Sequence, residues 1–135
     1  MIQTLSNHAP KMFAILRIMT ALLFIQHGTQ KLFGIPAAEF SPELFTLMWW
    51  AGAIELVGGA LILVGLFTRA AAFVTSGMMA VAYFMVHAGN SFFPANNSGD
   101  AAVLFCFVFL LFVFTGPGAW SLDRAQSRET GMVSV

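Results

Sequence analysis

Four stretches of the chain, at about residues 12–33, 45–67, 70–87 and 101–116, are near-continuous runs of apolar side chains, with polar residues gathered between them. Each approaches the ~20 residues that carry a helix across ~30 Å of hydrocarbon. A helix also satisfies all of its own backbone polar groups there. The five prolines, Pro10, Pro36, Pro42, Pro94 and Pro117, fall outside the four runs, as helix interiors require. The fourth run is the shortest; Pro117 and Gly118 end it, and Trp120 suits an interface. A compact soluble bundle would need a polar outer face on each helix, and these runs have none. The pattern therefore predicts an all-α fold: an integral membrane four-helix bundle, one domain over residues 1–135.

Composition agrees, since 59% of the 135 residues are hydrophobic and 9% charged, more apolar surface than so short a soluble chain can bury. The 6 basic and 6 acidic residues cancel, leaving no polycationic surface for a nucleic acid backbone, so nucleic acid is excluded as a partner. The lone Cys106 excludes an internal disulfide, a CxxC pair and a cysteine-rich metal site within one chain. We read the first run as a retained span and not a cleaved signal, because it is long, carries Arg17, His27 and Lys31, and lacks a small-x-small exit.

Lys11, Arg17, Arg69, Arg124 and Arg128 lie toward one face of the predicted bundle and Lys31 alone toward the other, beside Glu39, Glu43 and Asp100. Basic residues favour the cytoplasm, so both termini are expected there. The loops at about 34–44 and 88–100 then face outward, and a tight inner turn joins spans two and three.

Ionisable groups inside spans are costly and are functional candidates by default. On the first span Arg17, Thr20, Phe24, His27 and Lys31 form one helical stripe, with Gln26 and Gln30 beside it; the alternative is that Arg17 and Lys31 snorkel to opposite interfaces. Glu55 lies about six residues past the Trp49-Trp50 pair, ~9 Å below the expected outer boundary. His27 should share that depth, with Lys31 one turn above it. An ion pair or shared proton is expected, and Gly52, Gly58 and Gly59 leave room for a neighbouring backbone or a ligand. The competing reading is a buried salt bridge that only fixes helix register. The third span adds His87 and Tyr83, and an internal echo, Phe24-x-x-His27 against Phe84-x-x-His87, suggests two related hairpins. The candidate ligand-binding set is thus Gln26, His27, Gln30, Lys31, Glu55, Tyr83 and His87, with no metal site and no catalytic residue assigned. Arg69 is expected to anchor lipid phosphate or cap the second span, Cys106 to be an inert buried thiol, and the Asn96-Asn97-Ser98 triplet carries little weight.

Together, Gln26-His27-Gly28-Thr29-Gln30-Lys31-Leu32-Phe33-Gly34, Glu55-Leu56-Val57-Gly58-Gly59, Gly65-Leu66-Phe67-Thr68-Arg69-Ala70-Ala71, His87 and Gly116-Pro117-Gly118-Ala119-Trp120-Ser121-Leu122-Asp123 resemble the DoxX family of small four-helix membrane proteins over about residues 11–124. The resemblance implies a bacterial-type inner-membrane protein with a link to redox metabolism, some relatives being quinone-linked thiosulfate oxidation subunits and others associated with thiol and superoxide-handling complexes. Two function classes follow. In the first, the outer-half cluster binds a quinone or similar polar-headed molecule, and electrons come from a redox partner protein or another cofactor. A bis-histidine haem between His27 and His87 is its subordinate version, since two axial ligands at one depth are necessary but far from sufficient. In the second, the protein is a non-catalytic assembly or anchoring subunit or a small-solute carrier, and a transport path through four helices would call for a homo-oligomer.

Overall fold

The structure, a computed structural model, describes residues 5–38 and 42–131; Glu39, expected on the outer loop, lies outside the described residues. It is all helical among those residues. Helix α1 spans Ala9–Phe33, α2 Leu47–Val64 and α3 Thr68–Ala82, which runs on through a π-helical turn at Tyr83–His87. The short α4 (Pro94–Asn97), α5 (Asp100–Thr115) and α6 (Leu122–Gly131) follow. Three helical stretches, Ala9–Phe33, Leu47–Val64 and Thr68–His87, are long and apolar enough to cross a membrane, whereas α5 is shorter, at 16 residues. Helix α1 starts earlier than the apolar run because Pro10 sits in its first turn, where its missing N–H costs nothing. The sequence pattern gave no warning of α6, which is polar.

Only 28% of each spanning window is buried, so Leu22, Leu23, Val57, Phe73 and Val74 stand on outer faces that require apolar surroundings. Helix α1 packs chiefly on α2 and α3 chiefly on α5; α2 against α3 and α1 against α5 close the arrangement. Phe24, Ile62, Phe109 and Phe112 are fully buried between them, with Phe24 edge-on to Phe109 at 4.7 Å between ring centroids. The phenylalanines of α5 divide between core and surface: Phe109 and Phe112 point inward, Phe107 and Phe114 outward. Ser76 donates to the Cys106 carbonyl at 2.8 Å, which ties α3 to α5 where the thiol packs.

At the end of the bundle where α6 sits, charged side chains serve backbone groups. Arg17 does not snorkel. It is fully buried and donates to the carbonyls of Pro117 (2.5 Å), Ala119 (3.2 Å) and Trp120 (2.7 Å), holding the α5–α6 connection against α1. Arg69 caps α5 and not α2: its Nη1 donates to the Val113 and Phe114 carbonyls at 2.5 and 2.9 Å, the orphan acceptors of a helix C-terminus. Asp123 caps α3 from a distance, accepting from the Phe67 and Thr68 amides at 2.7 and 2.9 Å. Helix α2 ends at Gly65, whose φ of +69° suits glycine, with the Leu66 amide donating back to the Leu61 carbonyl at 2.9 Å.

Replacing Arg17 by Leu leaves three carbonyls without their donor. We expect a loss of about 3 kcal/mol or more, read as a lowered melting temperature in detergent micelles. Arg17→Lys, a point charge without the planar fork, should fall between Leu and wild type. A Leu variant that melts with the wild type would show the clasp to be idle.

Candidate functional site

The opposite end of the bundle is organised by a reciprocal contact between α1 and α2. A Cβ at Gly28 would lie 2.7 Å from the Leu56 nitrogen and 3.1 Å from the Glu55 Cβ; one at Gly52 would lie 2.9 Å from the Lys31 Cβ. Each glycine clears space for the ionisable residue that sits three positions after its counterpart. The helices run antiparallel, so Gly28-x-x-Lys31 and Gly52-x-x-Glu55 interlock. The Lys31 stem crosses Gly52, and its ammonium reaches Glu55 Oε1 at 2.5 Å. Of Gly58 and Gly59, expected to leave space near Glu55, the first is filled by Thr75 of α3 and the second by Ile25 of α1.

Glu55 is 2% exposed. Its second oxygen, Oε2, is buried and has no hydrogen-bond partner among the described residues. Beside the pair lies a cavity of about 410 Å³ lined from α1, α2, α3 with its π-helical turn, and α5. His27, Lys31, Glu55 and His87 are the ionisable groups in its wall. Met48, Met78, Met79, Met85 and Phe105 make up much of the rest. Small-molecule sites are commonly about 300–1,000 Å³, mostly apolar with a few converging polar groups.

The candidate residues separate clearly in space. His27 stands edge-on to Phe105 at 5.8 Å between centroids, and among the described residues no hydrogen bond joins it to Glu55. The amine and not the imidazole meets the carboxylate, because the close approach at Gly28 carries α1 past Glu55 by one turn. His87 is set by the π-helical turn, closed by the Ala88 amide on the Tyr83 carbonyl at 2.9 Å. Its Nδ1 is 3.0 Å from the Asn97 carbonyl, which leaves Nε2 as its other polar atom. Tyr83 does not line the cavity: it stacks on His87, donates to the Phe92 carbonyl at 3.0 Å and accepts from Asn97 at 3.3 Å. Gln26 lies on an exposed face and Gln30 is half-buried; neither lines the cavity. The echo between the two histidine segments is partial in space, since both histidines reach the cavity whereas Phe24 is fully buried and Phe84 exposed.

Asn97 is the functional-end residue that sequence reasoning passed over. It is buried, donates to the Ser91 carbonyl at 2.8 Å and accepts from the Gly99 amide at 2.8 Å, so it knots the loop over His87. Its sequence signal was the Asn96-Asn97-Ser98 triplet, which matches an N-glycosylation pattern given little weight and says nothing of a loop knot. The four methionines gave none, being ordinary apolar residues in a pattern count; in the structure they supply flexible, polarisable walls.

The DoxX family profile matches residues 12–88. An uncharacterized protein of Haemophilus influenzae is 45% identical over 89% of this chain and 94% of its own length. A membrane protein of Mycobacterium tuberculosis is 30% identical over 93% of this chain and 87% of its own. The inner membrane protein YqjF of Escherichia coli is 30% identical over 84% and 90%. No solved structure matches the chain significantly.

Lys31→Met removes the one partner that the buried Glu55 carboxylate has among the described residues, and we expect it to cost about 3–5 kcal/mol of stability. Lys31→Met with Glu55→Leu removes both charges and should recover most of that loss. Thermal unfolding in one detergent, for wild type, single and double variants, measures both; a double variant no better than the single would contradict the pairing.

Proposed function

The chain belongs to the DoxX family, and from that premise we propose a four-span protein of the bacterial-type inner membrane, termini cytoplasmic, acting as a redox-associated subunit that holds a quinone-like molecule in its outer half. The names of two relatives support the membrane. Helix α5, ~24 Å long at the helical rise, serves as the fourth span, a shortfall that local bilayer thinning accommodates. The distribution of Lys11, Arg69, Arg124 and Arg128 toward the α6 end favours placing that end in the cytoplasm.

One observation carries the ligand reading: Glu55 lines the cavity, and its Oε2 is buried with no hydrogen-bond partner among the described residues, so that a small turn of the carboxylate would present it to a ligand. An unpaired buried acceptor is costly, and a ligand hydroxyl would satisfy it. The residues fit a molecule with a polar head and an apolar body, since Lys31, Glu55, His27 and His87 supply the polar groups and methionines with Phe105 the apolar wall. A bound quinone supplies two-electron, two-proton carrier chemistry. For their part, Lys31 would hold Glu55 at a fixed place, the Glu55 carboxylate would accept from a hydroxyl of the reduced head and take up its proton, and His87 in the cavity wall would offer a second polar contact. The electrons pass to or from a partner protein, and the haem alternative is read directly by the presence or absence of a Soret band.

The second reading, a bundle whose ion pair is only glue, draws on the interlock at Gly28 and Gly52. Glu55→Gln separates the two. Lys31 has a quarter of its side chain exposed and can turn to the interface, so the variant should fold. Mass spectrometry of solvent extracts should find a quinone-class molecule with the wild type and about tenfold less or lower with the variant, at unchanged melting temperature. A wild type that yields none refutes the pocket, and a variant that misassembles favours glue.

A further inference from the structure

At the α6 end, remote from the cavity, two cationic clefts and an apolar groove adjoin. The larger cleft, about 700 Å³, lies between the start of α1, the α2–α3 turn and α6, and includes Thr68, Arg69 and Arg124. A second, about 480 Å³, shares Pro10 and Arg124 with it and adds Lys11, Trp120 and Arg128. Against these four cations stands Asp123, whose two oxygens are already taken by the Phe67 and Thr68 amides. Arg69 uses Nη1 on the α5 carbonyls, and a guanidinium has five N–H donors, so it retains some for an anion. Thr68, which lines the cleft, is fully buried, and its hydroxyl has no hydrogen-bond partner among the described residues.

The groove, about 430 Å³, shares Phe67 and Ala70 with the larger cleft and runs between α2 and α3 past Leu61, Val57 and Val74 toward Trp50. Thr75, the hydroxyl-bearing residue in its wall, turns that hydroxyl to the Ala71 and Ala72 carbonyls. From Leu61 to Trp50 the groove follows ~17 Å of α2, long enough to seat most of an acyl chain along the outer surface of the bundle. A soluble anion would use the cleft alone, and an apolar partner helix would gain nothing from the cations. An anionic head joined to an acyl chain matches both.

We propose that this end of the bundle holds one anionic phospholipid, its phosphate between Arg69 and Arg124 and an acyl chain along the α2–α3 groove. The lipid fills the groove that α2 and α3 leave open and neutralises the cations at its mouth. This inference stands apart from the quinone reading, because no residue of the cavity takes part.

Native mass spectrometry of the full chain in mild detergent, titrated with phosphatidylglycerol and with phosphatidylcholine of the same acyl chains, tests it. We expect phosphatidylglycerol to be retained preferentially, and Lys11→Gln with Arg124→Gln to weaken it about fivefold for each cation removed while phosphatidylcholine is unaffected. Ala70→Phe, or Val57→Trp should the first not fold, fills the groove with every cation in place and should reduce phosphatidylglycerol retention. Equal retention of the two lipids by the wild type, or undiminished retention by a folded groove variant, overturns the proposal. So does glycerol phosphate raising the melting temperature as much as phosphatidylglycerol does, which would mark a site for free phosphate.

Discussion

The backbone of α1 rests on that of α2 at Gly28, and this contact decides what the polar groups at the α4 end can reach. Between helices in lipid there is no hydrophobic driving force, so association depends on close packing and polar pairing. Here the two are one feature. The interlock of Gly28-x-x-Lys31 with Gly52-x-x-Glu55 brings the axes near enough for the Lys31 stem to lie across Gly52, and only then does the ammonium meet the carboxylate. A methyl on either glycine would push the helices apart at the level of the ion pair, opening it inside the hydrocarbon, where separated charges are most expensive. Packing and pairing therefore fail together.

Much of this was legible because a membrane simplifies the code. The apolar runs and the positions of the prolines locate the long helices to within a few residues, since one hydrocarbon thickness sets their length. The depth arithmetic from Trp49-Trp50 to Glu55 and from Phe33 back to His27 places carboxylate, amine and imidazole in one layer, and the cavity does bring His27, Lys31, Glu55 and His87 together. What spacing could not say was which base meets Glu55. That choice depends on the rotation and close approach of two helices, set by glycines that a hydropathy pattern counts as neutral. Gln26 and Gln30 were attractive for being next to the stripe, yet a shift of one residue turns a side chain by about 100° about a 3.6-residue helix, enough to take both off the cavity wall.

The α6 end was the less readable half for a different reason. Arg17 looks from sequence like an interfacial cation, and its partners are the carbonyls of residues 117, 119 and 120, about a hundred positions away in a segment with no apolar pattern. Arg69 and Asp123 act in the same way, on helix ends contributed by other parts of the chain. No periodicity announces a side chain whose partner is a main-chain atom, because the partner's residue type is immaterial. Arg69 and Asp123 fall within the segments that carry the DoxX resemblance, and the structure supplies the mechanics: each secures a helix terminus that would otherwise leave bare acceptors or donors.

The two ends thus place charge under different terms. At the α6 end, Arg17 through its two terminal nitrogens and Asp123 through both oxygens spread their hydrogen bonds over several backbone groups, so a fixed frame results, although Arg17 Nε is buried with no partner among the described residues. At the α4 end the pair is side chain to side chain, and a residue that lines an open volume keeps one buried carboxylate oxygen with no partner among the described residues. A bundle with rigidity as its sole requirement would do better with that oxygen paired or replaced by packed carbon, because removing both members of a buried ion pair is often neutral or stabilising. Keeping an unsatisfied acceptor on a deformable methionine wall, at the end opposite the fixed frame, makes sense when something enters from that side and completes it.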